Sequence, residues 1–177
     1  MRIALILSAL CLSALPVHSQ IISRAFTAKD GAVRVVERSG ATKSIALEPK
    51  QVGTEHLRIA PDRRTVGWSV LIENCCTSYP VPVTVNVYRD GKKVSISPDG
   101  LMVWEWRFVG RGDRIAVLYG PVHGYAAGAN LYDTRNGKLL ASCNTPCKAP
   151  RWANEWQTTL AESPQPHPAN PPLRSPQ

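Results

Sequence analysis

The chain has 177 residues, and its 21 Lys and Arg outnumber its 13 Asp and Glu, which gives a formal net charge of +8 at pH 7. The basic residues stand singly or in pairs such as Arg63-Arg64, with no run of five or more, and aromatic residues do not alternate with them. This pattern argues against a groove that binds nucleic acid, and we expect no nucleic-acid partner.

Residues 1–19 predict an export signal. Arg2 precedes the apolar run Ile3–Leu15, and Val17-His18-Ser19 supplies the small residues that a signal peptidase requires. The run is well short of the ~20 residues of a membrane-spanning helix. Cleavage would leave 158 residues with a net charge of +7. We therefore expect a periplasmic or secreted protein with no transmembrane segment after cleavage.

Residues 20–162 are predicted to form a single β domain. The pattern of its first part predicts a hairpin, in which Val33–Val36 runs into the turn Arg38-Ser39-Gly40 and the chain returns through Ser44–Leu47.

The body of the domain is a weak internal duplication of about residues 54–97 and 101–142. Each half begins with a short apolar strand, a polar turn and a second strand. A loop then leads to a final hairpin. The turn of that hairpin contains Asp90-Gly91 in one half and Asn136-Gly137 in the other, and both pairs supply the positive φ angles of a tight turn. A repeat of this size indicates arrayed supersecondary units.

This order of strands resembles a blade of the WD40-like or TolB-like β-propeller proteins. The resemblance is carried by Ile59-Ala60-Pro61-Asp62, Ser97-Pro98-Asp99-Gly100 and Tyr132–Lys138. A group of exported bacterial proteins of unknown function is similar at Asn74–Pro80, Gly67-Trp68, Trp106–Phe108 and His123-Gly124. The resemblance covers about residues 55–141, and it implies an antiparallel hairpin array without implying an activity.

Two such units cannot close a ring, because propellers typically need four or more blades. The expected fold is all-β, with a short C-terminal helix. It consists either of two packed antiparallel sheets, which we favour, or of blade-like four-stranded repeats that close by oligomerising.

Alternation predicts which side chains share a face. Val66–Ile72 would place Val66, Trp68, Val70 and Ile72 together, and the strand at Met102–Phe108 would place both Trp104 and Trp106 on one face. Ile115–Tyr119 is apolar on both faces, which is typical of a central strand.

The C-terminal part divides into a helix and a tail. Residues 149–161 predict a short amphipathic helix, because Trp152, Trp156 and Leu160 recur every fourth position behind Pro150. Residues 163–177 contain six prolines in fifteen positions and predict a disordered tail.

Export would leave four cysteines, which are Cys75, Cys76, Cys143 and Cys147. We favour local closure of Cys143–Cys147 with a vicinal Cys75–Cys76 pair, although both residues of the first pair could instead cross to the second. Structural disulfides are the ordinary use of cysteine in an oxidising compartment. The spacings match neither a thioredoxin-like dithiol nor a zinc site, so we expect no metal and no cofactor.

No catalytic residue can be assigned from the sequence. It contains no Gly-x-Ser-x-Gly, no His-Glu-x-x-His and no phosphate-binding loop that ends in Lys-Ser or Lys-Thr. We expect a non-enzymatic exported protein whose loops at 73–81 and 120–129 bind another macromolecule of the cell envelope through Tyr79, His123 and Tyr125. The alternative is a thiol–disulfide or polysaccharide-directed envelope enzyme.

Overall fold

A computed structural model of the chain describes residues 20–75, 77–98 and 100–161. Three antiparallel sheets follow one another along these residues, and a short helical segment ends them. The predicted export signal and disordered tail lie outside the described residues and stay predictions.

Each sheet is a meander of consecutive strands. Sheet 1 contains β1 (Ile22–Thr27), β2 (Val33–Glu37) and β3 (Thr42–Ile45). Sheet 2 contains β4 (Gln51–Ile59), β5 (Thr65–Ile72), β6 (Val81–Arg89) and β7 (Lys92–Ile96). Sheet 3 contains β8 (Met102–Val109), β9 (Arg114–Gly120), β10 (Gly128–Asp133) and β11 (Leu139–Asn144). A 3-10 helix (Arg151–Trp156) continues into α1 (Gln157–Ala161), and the two together form the C-terminal helical segment.

The all-β prediction is confirmed in its blade-like form, because both predicted repeats are four-stranded antiparallel sheets. The two-sheet arrangement that we favoured is wrong. The hairpin predicted at residues 33–47 does form as β2 and β3, but β1 joins it to make a third sheet. The apolar residues Val33 and Val35 of β2 cover Trp68 of sheet 2, whose ring would otherwise face water.

Sheet 2 lies between the other two sheets and buries both of its faces. Val66, Trp68 and Val70 share one face, as predicted, and pack against sheet 1. On the other face Val85 and Val87 pack against sheet 3. Removing a Trp ring from water contributes on the order of 2–3 kcal/mol to the free energy of folding. Burial of both faces of sheet 2 therefore supplies much of the stability of the core.

Trp106 of β8 fixes how sheet 3 sits on sheet 2. Its Nε1 donates a hydrogen bond to Ser69 Oγ at 2.9 Å. A Cβ at Gly67 would lie 2.8 Å from the Trp106 ring, so the close approach of this indole requires glycine. The ring of Phe108 packs edge-on against the indole with 5.4 Å between centroids.

The predicted common face of Trp104 and Trp106 is wrong. The pairing of β8 with β9 shifts by one residue between Val103 and Glu105. This irregularity moves Val103 to the side of Trp106 in the core between sheets 2 and 3. Trp104 packs instead in the cluster on the opposite side of sheet 3.

The C-terminal helical segment covers the outer face of sheet 3, and the predicted helix is confirmed. Trp156 and Leu160 are buried there against Leu118 and Leu131. Strand β9 is therefore buried on both faces, as its sequence predicted. In the described part of the chain, no helix is both long and apolar enough to cross a membrane.

The strand directions give the sheet stack two distinct ends. The turn end holds the β4–β5 turn (60–64), the β6–β7 turn (90–91), the β8–β9 turn (110–113) and the β10–β11 turn (134–138). The loop end holds the β5–β6 loop (73–75 and 77–80) and the β9–β10 loop (121–127). Because antiparallel strands alternate in direction, successive connections alternate between the two ends, and in sheets 2 and 3 the connection at the loop end is the longer one.

Candidate functional site

The three residues predicted to bind a partner all lie at the loop end, on neighbouring sheets. Tyr79 stands in the β5–β6 loop, whereas His123 and Tyr125 stand in the β9–β10 loop. All three are exposed, and Tyr79 and Tyr125 keep 56% and 48% of their surface accessible. The structure thus brings the predicted residues to one end of the molecule.

The β9–β10 loop stands on a fixed base. Trp104 Nε1 donates to Pro121 O at 3.0 Å, and the Ala127 amide donates to Tyr119 O at 2.8 Å. Ala126 is buried beside the exposed Tyr125, so it holds the loop against sheet 3. These contacts leave the tip exposed while they fix both of its ends.

The β5–β6 loop forms a shallow cavity of about 290 Å³. Its lining residues are Glu73, Asn74, Thr77, Ser78, Tyr79 and Pro80. Within the loop, Thr77 Oγ1 donates to Tyr79 O at 2.6 Å and fixes the backbone beside the exposed ring. The exposed Cys75 belongs to the same loop.

The turn end contains a mostly buried ion pair that was not predicted from the sequence. Arg89 Nη1 donates to Asp62 Oδ2 at 2.8 Å and to Thr65 Oγ1 at 2.8 Å. Asp62 Oδ1 accepts the amides of Arg64 and Thr65 at 2.8 and 3.1 Å. The Asp62 and Arg89 side chains are only 11% and 12% exposed, so each charge depends on these partners.

The same network joins sheet 2 to sheet 3 through Gly112. Its carbonyl accepts Arg89 Nη1 at 3.0 Å and the hydroxyl of the fully buried Thr134 at 2.8 Å. The Asp62 amide donates to Arg111 O at 2.8 Å. The one sequence signal for this network was the match between the polar turns at 60–64 and 110–114, which recur at the same place in both repeats.

The favoured local disulfide is present between Cys143 and Cys147, whose Cα atoms are 6.0 Å apart. It closes the connection from β11 to the helical segment, where the Cys147 amide also donates to Leu160 O at 2.8 Å. The crossed pairings are therefore wrong. Cys76 lies outside the described residues, so the vicinal pairing with Cys75 stays a prediction.

Glu48, in the connection from β3 to β4, ties that connection to sheet 2. Its carboxylate forms an ion pair with Lys93 and accepts Asn86 Nδ2 at 3.0 Å. The hydrogen bond from Lys93 lowers the pKa of Glu48 below its usual value of 4.5, against the effect of partial burial. In the described ranges, no cluster of three or more His, Cys, Asp or Glu side chains is placed to hold a metal ion.

No protein-family model matches the chain, and no curated protein matches it. Among solved structures, Hsv2 from Kluyveromyces lactis is 12% identical, with 72% of this chain and 49% of that chain covered and a TM-score of 0.32. Hsv2 from Kluyveromyces marxianus is 10% identical, with 72% and 47% covered and a TM-score of 0.31. The chain spans about half the length of these proteins. Similarity at this level assigns neither a family nor a function.

Proposed function

We propose that the protein is an exported, non-enzymatic β-repeat protein that binds another macromolecule of the cell envelope through its loop end. The observation that carries this proposal is the pair of half-exposed aromatic rings, Tyr79 and Tyr125, on loops at the same end of two adjacent sheets. Tyr loses little conformational freedom on binding and offers both an apolar face and a hydroxyl group. Loops on a rigid scaffold are a common location for such contacts.

The fixed loop base favours recognition. Hydrogen bonds at Pro121 and Ala127 hold the two ends of the β9–β10 loop before any partner arrives. A loop that is already ordered spends less conformational entropy on association, so more of the contact energy appears as affinity.

Export is supported by two independent features. Residues 1–19 have the composition of a cleaved signal, and the Cys143–Cys147 pair is of a kind that persists in oxidising compartments. Cys143 is 8% exposed, which favours a structural bond over one that exchanges with thiols in solution.

The test is capture of partners from an envelope extract on the immobilised mature protein. The variant Tyr79→Ser/Tyr125→Ser should lose the partners that the native protein retains. The matched control is Leu139→Ser/Leu140→Ser, which removes exposed apolar side chains from β11, and it should retain them. Equal retention by both variants, or equal loss, would contradict binding at the loop end.

The competing thiol–disulfide hypothesis is separated by titrating thiols in the native protein. Structural cysteines should yield no free thiol and should resist mild reductant. Pairs that reduce easily would favour redox chemistry over the binding role.

A further inference from the structure

A basic groove of about 530 Å³ lies at the turn end, between β8, the β8–β9 turn and the C-terminal helical segment. Its walls include Arg107, Phe108, Gly110, Arg114, Arg151 and Trp152. The groove could not be predicted from the sequence, because these residues converge from two segments about 40 positions apart. This arginine groove lies at the opposite end of the stack from Tyr79 and Tyr125.

The cations of the arginine groove outnumber its anions. Arg107 forms an ion pair with Glu155 and donates to Trp152 O at 2.9 Å. Arg114 Nε lies 3.4 Å from Asp113 Oδ2. Arg151 has no ion-pair partner among residues 20–75, 77–98 and 100–161. Three guanidinium groups therefore face two carboxylates, and one positive charge is left over.

The two carboxylates are also poorly placed to neutralise the groove. The Glu155 and Asp113 side chains are 61% and 46% exposed, so water screens both of them. The Nε atoms of Arg107 and Arg114 are buried and have no hydrogen-bond partner within the described residues. Partly dehydrated guanidinium groups attract an incoming anion more strongly than fully hydrated ones do.

We infer that the arginine groove binds carboxylate side chains of an acidic peptide segment in a partner protein. Guanidinium groups match a carboxylate with paired N–H donors. The partly buried Trp152 lines the same groove and would pack against the apolar residues that flank the carboxylates. The volume lies within the ~300–1,000 Å³ of ordinary ligand sites, and its concave shape suits a protruding side chain better than a flat bilayer.

This site is separate from the proposed loop-end function and does not depend on it. The test uses the full mature protein and a fluorescein-labelled hexapeptide of alternating Glu and Leu, with binding followed by fluorescence anisotropy. Arg151→Glu should weaken binding by at least about tenfold, and Arg114→Glu/Arg151→Glu should abolish it. Thermal unfolding of each variant establishes that it is folded, and Arg151→Gln tests the loss of charge without an added carboxylate.

The matched control is Arg135→Glu, which makes the same charge change on an exposed residue of the β10–β11 turn. It should leave binding within about twofold. Equal weakening by Arg135→Glu and Arg151→Glu would overturn the proposal, since net charge alone would then explain binding. Binding of a hexapeptide of alternating Lys and Leu with equal affinity would overturn it as well.

Two further probes distinguish other anions. Vesicles with about one fifth anionic lipid should not bind in a manner sensitive to Arg151→Glu. Millimolar inorganic phosphate should displace the peptide no better than acetate does. If vesicles or phosphate compete at the groove while the peptide does not bind, the acidic-peptide assignment is wrong. Loop-end capture would be unaffected by either result, so the two proposals fail separately.

Discussion

The two ends of the sheet stack differ in what their polar and aromatic side chains do. At the turn end, Asp62 and Arg89 are nearly buried and bond to one another, and Thr134 is fully buried. At the loop end, Tyr79 and Tyr125 keep about half of their surface in water. The short turns add polar contacts to the apolar core that joins sheet 2 to sheet 3, which leaves the longer loops available for recognition. The comparison predicts that substitutions at the turn end change stability and that substitutions at the loop end change binding.

The largest loss of stability is expected from Asp62→Asn. An amide cannot neutralise Arg89, and the mostly buried guanidinium would keep only its longer, 3.6 Å pair with the exposed Asp90. Removing one partner of a buried pair costs about 3 kcal/mol of unfolding free energy, measurable by urea denaturation. The matched control is Asp90→Asn, because Asp90 is 43% exposed in its pair with Arg64 and in its longer, 3.6 Å pair with Arg89, so its loss should cost less than about 1 kcal/mol. Equal losses at the two sites would show that burial at the turn end confers no special stability.

A loss of stability of similar size is expected from Gly112→Ala. Gly112 has a φ of +118°, and an added Cβ would lie 2.5 Å from Ala60 Cβ in the facing turn. Backbone strain and overpacking together should cost about 3 kcal/mol and should separate sheet 2 from sheet 3 at this point.

Gly40→Ala isolates the strain alone. Gly40 also has a positive φ, +89°, but an added Cβ there meets nothing within 4 Å. Gly40→Ala should therefore lower the free energy of unfolding by only about 1 kcal/mol. A Gly112→Ala variant no less stable than Gly40→Ala would contradict the tight packing of the two turns.

Removing the disulfide with Cys143→Ser/Cys147→Ser should have an intermediate effect. Four residues of sequence separation close a short loop, and the loss of that constraint corresponds to about 2 kcal/mol in the chain-entropy description. The helical segment should detach first, because the bond adjoins the Cys147 amide that donates to Leu160 O. Reduction of the native protein should reproduce the change in melting temperature. An unchanged melting temperature would contradict a stabilising role for the disulfide.

Most of the strands could be predicted from the sequence, because alternation and turn residues act locally. Asp90-Gly91 adopts the positive φ angles of the tight turn that it predicted. In the longer β10–β11 turn only Gly137 does so, and the positive φ predicted for Asn136 is wrong. The placement of Trp104 on the opposite face of sheet 3 from Trp106 could not be predicted. It results from the irregular pairing of β8 with β9 beside Trp104, which local sequence does not determine. The Asp62–Arg89 pair and the arginine groove were missed for the same reason. Their members are distant in sequence and meet only through the packing of sheets and helix.

A smaller effect is expected from Glu48 and depends on pH. Lys93 lowers the pKa of this carboxyl group below 4.5 in the folded protein. Its contribution to stability is therefore present above pH 4.5 and is lost as the pH falls through the lowered pKa. Glu48→Gln should cost less than about 1 kcal/mol at pH 7, because the pair is partly exposed. The difference between native and variant in urea denaturation should shrink in acid, and a difference that grows there would contradict the ion pair.

The smallest effect on stability is expected at the loop end. Tyr79→Ser/Tyr125→Ser removes two rings that already lie half in water, so unfolding free energy should change by no more than about 0.5 kcal/mol per site. Trp104→Phe is the informative companion, because it deletes the donor to Pro121 O and loosens the base of the β9–β10 loop while leaving both Tyr residues. If recognition depends on an ordered loop, Trp104→Phe should weaken partner capture although Tyr125 is intact. A tyrosine variant that unfolds as readily as Asp62→Asn would mean that these rings support the sheets, and the division between the two ends would then be wrong.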